Sequence, residues 1–116
     1  MIVVGGSGIC TGALINNTCN DGTPYFLTAN HCLGGSTGSW AFRFNWESPP
    51  GTESCATTVG SVDPGPPYDQ TANGATTLVS AAASDFALLQ INNMTLSDAQ
   101  NWNCFYAGWD LSLIHI

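Results

Sequence analysis

The chain has 116 residues, a net charge of −7 and one basic residue, Arg43. This charge argues against binding to nucleic acid or to an anionic membrane, since nothing in the chain could neutralise phosphates. No stretch is long and apolar enough to span a membrane. Five cysteines in so short a chain indicate a secreted protein with disulfides, and their odd number leaves one thiol without a partner inside the chain.

Short β-rich runs separated by turn residues recur along the chain and predict an all-β fold. The predicted strands are residues 2–4, 9–15, 25–29, 39–47, 53–59, 74–80 and 85–91, with a further strand starting at 104–109. The second and third strands should form a hairpin that brings Cys10 and Cys32 to the same end. Residues 61–73 are rich in proline and glycine and predict a surface loop, and residues 97–100 predict one helical turn.

Aromatic residues alternate with polar ones along the predicted strand at residues 39–47. The aromatic side chains that share one face are Trp40, Phe42, Phe44 and Trp46. We interpret this stripe as core packing and not as a platform for a ligand. The strand at residues 85–91 is apolar on both faces, which predicts a central and buried position in the sheet.

His31 follows a predicted strand directly, in the stretch Thr-Ala-Asn-His-Cys at residues 28–32. A histidine that acts as a general base needs a partner on its other ring nitrogen, and a buried carboxylate is the usual one. Asp85 differs from the other aspartates because it opens an apolar run, where an unpaired carboxylate would be costly. The residues therefore predict a His31–Asp85 pair. The alternative is that each of the two only caps a turn.

Four stretches resemble chymotrypsin-fold serine proteases. Residues 10–15 (Cys-Thr-Gly-Ala-Leu-Ile) and 26–32 (Phe-Leu-Thr-Ala-Asn-His-Cys) resemble the region around the catalytic histidine. Residues 84–89 (Ser-Asp-Phe-Ala-Leu-Leu) are similar to the segment with the catalytic aspartate, and residues 105–110 resemble the opening strand of the second barrel. The sequence of these stretches is most similar to the bacterial lysyl endopeptidase branch, and the resemblance extends over residues 5–110.

The resemblance implies a secreted endopeptidase with a Ser-His-Asp triad, in which His31 is the general base and Asp85 holds its tautomer. Residues 1–103 would form a single Greek-key β-barrel, the first half of a double barrel, and residues 104–110 would begin the second. The serine and the oxyanion hole belong to the second barrel, so we expect this chain alone to be inactive. The parent enzyme would be a monomer that cleaves peptides. It would need no cofactor or metal. The likeness suggests cleavage after lysine.

The resemblance also implies a disulfide between Cys10 and Cys32. It places Cys55 where relatives have a half-cystine that pairs with an N-terminal extension. Cys19 and Cys104 are then the candidates for a second bridge. A zinc site that groups Cys10, Cys19, His31 and Cys32 is the alternative, but this spacing matches no zinc-ligand pattern and the secreted composition favours disulfides.

Three features are set aside. Ser7 stands between glycines but precedes the histidine, so we do not expect it to be the nucleophile. Residues 2–6 imitate the start of an activated trypsin and are interpreted as an ordinary strand and loop. Residues 111–116 resemble the translation of a sequencing adaptor, so we expect a non-native tail. Two other functions stay open: a non-catalytic relative that works as a binding module, and a structural domain held by disulfides.

Overall fold

The computed structural model describes residues 1–5, 7–46 and 70–110. Within these ranges, eight strands form two antiparallel sheets of four strands each. The strands are β1 (Ile2–Val4), β2 (Ser7–Cys10), β3 (Ala13–Ile15), β4 (Tyr25–Thr28), β5 (Ala41–Arg43), β6 (Thr71–Asn73), β7 (Ala75–Ala81) and β8 (Phe86–Ile91). The strand orders are β2-β1-β5-β6 and β3-β4-β8-β7. One helix, α1 (Leu96–Asn101), follows β8.

Two corners join the sheets. β2 continues into β3 through Thr11 and Gly12, and β6 continues into β7 through Gly74. Because each corner carries one strand from one sheet into the other, the pairings close into a ring: β1, β2–β3, β4, β8, β7–β6, β5 and back to β1. With β2–β3 counted as one strand, β5 is the fourth strand in chain order and lies beside the first, β1, which is the Greek-key arrangement. The predicted all-β, barrel-like fold is confirmed.

The corner at Gly12 divides the strand that the sequence predicts at residues 9–15. A Cβ added at Gly12 would lie 2.5 Å from the carbonyl oxygen of Leu27 and would also overlap the ring of Phe26. The backbone of the corner therefore approaches β4 more closely than any side chain would allow. The prediction of one continuous strand was wrong, since its two halves pair with different neighbours.

The predicted aromatic strand at residues 39–47 is also shorter in the structure. Its regular part is β5, and the chain turns away at Asn45, where φ is +51°. The Asn45 amide donates a hydrogen bond to the carbonyl of Trp102 at 2.7 Å, and the ring of Phe44 stacks on the Trp102 ring at 5.7 Å. Trp40 and Phe42 are fully buried, so the core-packing interpretation is correct for these two.

The core lies between the two sheets. Its buried members are Ile2, Leu14, Phe26, Cys32, Trp40, Phe42, Ala72, Ala75, Leu89, Ile91, Met94 and Ala99. Phe26 and Phe42 meet edge to face, with ring centroids 4.9 Å apart, a favoured geometry for aromatic pairs. β8 is central, as predicted, between β4 and β7. It is buried on one face, while Phe86 and Leu88 on the other are half-buried.

The predicted helical turn at residues 97–100 is confirmed by α1. Thr95 and Asp98 form a capping box at its start, in which each side chain accepts a hydrogen bond from the other's backbone N–H. No helix in the described ranges has the length and apolar character needed to cross a membrane.

Two further predictions need correction, and two lie outside the described residues. Residues 71–73 form β6 and belong to the barrel instead of the predicted loop. The strand start predicted at residues 104–109 is not a strand. This segment meets the sheet through an isolated parallel bridge between Ile15 and Ala107. The predicted strand at 53–59, with Cys55, and the tail at 111–116 lie outside the described part of the chain.

Candidate functional site

His31 lies on a 3-10 turn, Asn30–Cys32, that begins directly after β4. Backbone hydrogen bonds from Cys32 to Ala29 (3.1 Å) and from Leu33 to Asn30 (2.9 Å) close the turn. The turn buries Cys32 in the core, whereas the side chain of His31 is 72% exposed. The local backbone therefore presents the imidazole to solvent and anchors its neighbour.

Asp85 lies at the same edge of the barrel, directly before β8. It ends a tight turn that is closed by its N–H and the carbonyl of Ala82 at 3.2 Å. Its φ of +51° lies in the left-handed region, which aspartate tolerates better than most residues. Because β4 and β8 are antiparallel neighbours, with Thr28 opposite Ala87, the end of β4 and the start of β8 meet.

The two side chains form a close pair. Nδ1 of His31 lies 2.7 Å from Oδ2 of Asp85, and the backbone N–H of His31 donates to Oδ1 at 2.8 Å. The hydrogen bond from the His31 side chain, followed by that from its backbone, lowers the pKa of Asp85 below its ordinary value. Both carboxylate oxygens are thus engaged by one residue, so the plane of the imidazole is fixed relative to the barrel.

This arrangement determines which nitrogen of the neutral imidazole can react. The proton between His31 and Asp85 belongs on Nδ1, because the ionised carboxylate can only accept. Nε2 then carries the free lone pair and can take a proton from a nucleophile, while Asp85 stabilises the imidazolium that results. The side chain of Asp85 is 49% exposed in this chain, and the contact that the sequence predicted between Asp85 and His31 is present.

A disulfide anchors the His31 turn to the corner between β2 and β3. Cys10 and Cys32 are bonded across a sequence separation of 22 residues, which confirms the pairing that the resemblance implied. Cys10, His31 and Cys32 also bring three potential metal-ligand atoms within 4.8 Å of one another. The sulfurs are joined to each other, however, and offer no thiolate to a metal ion.

The second predicted bridge is not formed, because Cys19 and Cys104 are free thiols in the structure. Cys19 is exposed in the turn between β3 and β4. Cys104 follows α1 and lines a small cavity with Gly12 and Leu14, near the start of β3. Burial raises the pKa of the Cys104 thiol. The two cysteines thus lie toward opposite ends of β3.

A comparison with known protein families matches residues 1–115 to the family described as lysyl endopeptidase, C-terminal domain. The chain belongs to this lysyl endopeptidase family. The matched range includes the barrel, the His31–Asp85 pair and the Cys10–Cys32 disulfide. Membership of the lysyl endopeptidase family therefore supports a protease as the parent of this chain.

The structure also shows a buried polar contact beside the pair that the sequence reasoning did not find. The hydroxyl of Thr28 donates to the carbonyl of Thr11 at 2.8 Å. Thr28 precedes His31 by three residues, in the stretch that carried the resemblance. Thr28 lies two residues after the buried Phe26 on β4, and this period-two spacing indicated that its side chain points inward. Nothing in the sequence indicated that the hydroxyl would bond to Thr11.

Proposed function

We propose that this chain supplies the histidine and aspartate of a secreted serine-type endopeptidase. The observation that carries the proposal is the His31–Asp85 pair, in which ring and backbone of one residue engage both oxygens of the other. His31 takes the proton of an attacking serine through Nε2 and returns it to the leaving amine. Asp85 holds the reactive tautomer and stabilises the imidazolium.

The nucleophile lies in a segment of the parent protein that this chain does not include. After Asp85, the sequence contains Ser97 and Ser112, and neither stands in a Gly-x-Ser-Gly context. A chain with the base and its orienting carboxylate but without serine and oxyanion hole lacks the groups that form and stabilise the tetrahedral intermediate. We therefore expect this chain by itself to be inactive toward peptides.

Cleavage after lysine is the specificity we propose for the parent. The family name supports it. The charge of the chain affects how fast cationic peptides arrive and does not distinguish lysine from arginine. With a net charge of −7 and no lysine, this half of the protein attracts cationic peptides and speeds their encounter at low ionic strength. Secretion into an oxidising compartment agrees with the Cys10–Cys32 disulfide.

The test is to express the complete reading frame that contains this chain and to assay peptides that differ only in lysine, arginine or norleucine before the scissile bond. We expect preference for lysine and covalent labelling by a fluorophosphonate. His31→Ala and Asp85→Asn should each lower kcat by about 10⁴-fold or more. Asp98→Asn, in the capping box of α1, is the matched control and should retain activity.

A reading frame that continues without a Gly-x-Ser-Gly loop would overturn the protease proposal in favour of a non-catalytic binding module. Proteolysis that persists in the His31→Ala variant would overturn the role of His31 and leave a structural domain as the better interpretation. Loss of the preference for lysine alone would remove only the proposed specificity.

A further inference from the structure

Thr28 is a buried polar residue, with 8% of its surface exposed. Its Oγ1 donates to the carbonyl of Thr11 at 2.8 Å. Thr11 lies in the corner between β2 and β3, outside both strands. A buried hydroxyl without a partner is costly, and here the hydroxyl and the corner carbonyl satisfy each other.

This hydrogen bond and the disulfide connect the same two short segments of chain. The hydroxyl of Thr28 ties the last residue of β4 to Thr11, and Cys32 is bonded to Cys10, the residue before Thr11. His31 lies between Thr28 and Cys32. The histidine is therefore held to the corner by one link on its N-terminal side and by another on its C-terminal side.

Thr28 also connects the histidine turn to the strand of the aspartate. In the ladder between β4 and β8, Thr28 lies opposite Ala87, which is fully buried and follows Asp85 by two residues. The last residue of β4 is thus fixed on one side by the corner and on the other by β8. These two contacts set the distance between the backbones from which His31 and Asp85 project.

Backbone placement matters here because the pair receives little support from packing. The side chains of His31 and Asp85 are largely open to solvent, and an exposed ion pair is ordinarily weak, since water competes and both side chains are free to move. A contact of 2.7 Å between Nδ1 and Oδ2 then depends on the segments that carry the two residues. Thr28 provides the buried polar link in the segment that carries His31.

We infer that Thr28 is a positioning residue for the His31–Asp85 pair, acting through its hydroxyl. This inference rests on the proposed function for its meaning in catalysis, because the pair orients a general base only in a protease. The geometric claim can be tested in the present chain without any assay of proteolysis. Thr28 is buried and bonded to the corner, so it exerts its effect through the backbone of the turn.

The experiment compares Thr28→Val, which removes the hydroxyl and keeps the shape, with Thr28→Ser, which keeps the hydroxyl. Two NMR readouts report on the pair: solvent exchange of the His31 Nδ1 proton, and the pKa of Asp85 from its carboxyl carbon. In Thr28→Val we expect exchange to accelerate by about tenfold, the effect of one weakened hydrogen bond. The pKa of Asp85 should rise toward its ordinary 3.8, and Thr28→Ser should behave like the parent chain.

Thr37→Val is the matched control. Thr37 lies on a second 3-10 turn, Thr37–Ser39, and its hydroxyl also donates to a backbone carbonyl, that of Ala75 at 2.9 Å. This variant should leave both readouts unchanged. If Thr28→Val does not fold, as judged by circular dichroism, Thr28→Ala is compared with Thr28→Ser, since these two differ only by the hydroxyl.

Unchanged readouts in a folded variant without the hydroxyl would overturn the inference. Equal changes in the valine and serine variants would overturn it as well, because serine keeps the hydroxyl and its loss could then not be the cause. A parent protein without peptidase activity, by contrast, would refute the proposed function and leave the measured coupling between Thr28 and the pair intact. The two failures are therefore distinguishable.

Discussion

His31 and Asp85 stand at the surface of the barrel, and their alignment comes from backbone geometry instead of burial. The 3-10 turn after β4 and the tight turn before β8 bring the two residues together, and the histidine engages the carboxylate through ring and backbone at once. Two hydrogen bonds from one residue restrict the carboxylate more than a single exposed ion pair would. Within this chain, the two turns and these hydrogen bonds align the carboxylate and the imidazole without burying them.

The pKa of Asp85 gives a prediction about pH. The hydrogen bonds from His31 lower this pKa below 3.8, so the contribution to stability is present above that value and is lost as the pH falls through the folded-state pKa. We expect the Asp85 carboxyl carbon to titrate below 3.8 by NMR. In His31→Ala the midpoint should move up without returning fully, because the backbone N–H still donates. A midpoint at or above 3.8 in the unaltered chain would contradict the observed geometry.

The residues of the site were largely predictable from the sequence. His31 and Asp85 could be found because a histidine at a strand end and an aspartate before an apolar run are unusual placements. Cys10–Cys32 followed from a resemblance. Thr28 could not be found, since the hydroxyl's partner, Thr11, is distant in sequence and only the pairing of the strands brings them together.

At the scale of the elements, the corner at Gly12 decides how the barrel closes. β2 pairs with β1 and β3 pairs with β4, so the chain must change direction over two residues while it stays close to β4. The same corner carries the carbonyl that accepts the Thr28 hydrogen bond, and it follows the half-cystine Cys10. The geometry of this corner is therefore tied to the placement of His31.

Substitution of Gly12 should test this closeness. Gly12→Ala places a Cβ 2.5 Å from the carbonyl oxygen of Leu27, and we expect a loss of about 1–3 kcal/mol in the free energy of unfolding, typical of overpacking. Urea denaturation measures it. Gly108→Ala is the control, because an added Cβ there meets nothing within 4 Å and should change stability by less than about 0.5 kcal/mol. Equal stabilities for the two variants would show that the corner can accommodate a Cβ atom at Gly12.

Strand lengths were the least predictable feature of the elements. The alternation at residues 39–47 indicates an extended strand, but Asn45 adopts a left-handed conformation and its amide binds the carbonyl of Trp102. Period-two alternation indicates which side chains share a face over a short distance. It does not indicate where a hydrogen bond to a distant carbonyl will end the strand.

At the scale of the whole molecule, a small core is supplemented by the Cys10–Cys32 disulfide. The core contains twelve buried residues in the described ranges, and Cys32 belongs to it while also joining the histidine turn to the corner. A domain of this size gains a substantial part of its stability from a disulfide when its core is small. The link therefore serves the barrel as well as the site.

Removal of the disulfide should measure that contribution. For the separation of 22 residues, the chain-entropy relation gives a loss of about 3 kcal/mol in the double variant Cys10→Ala with Cys32→Ala. Chemical unfolding without reductant measures the change. Cys19→Ala, at a free and exposed thiol, is the control and should be neutral. A loss of similar size in this control would show that Cys19 is bonded after all, as the sequence had suggested.

The sequence by itself determined the all-β class and the polar, cysteine-bearing character of the chain, because these depend on residue types and their local periodicity. It predicted the His31–Asp85 pair from residue types, with two separate capping roles as the alternative. Only the tertiary structure decided where strands break at corners, that the pair is exposed, and that the Thr28 hydroxyl binds Thr11. Each of these depends on which distant segments lie side by side, and local pattern does not encode the register that brings them together.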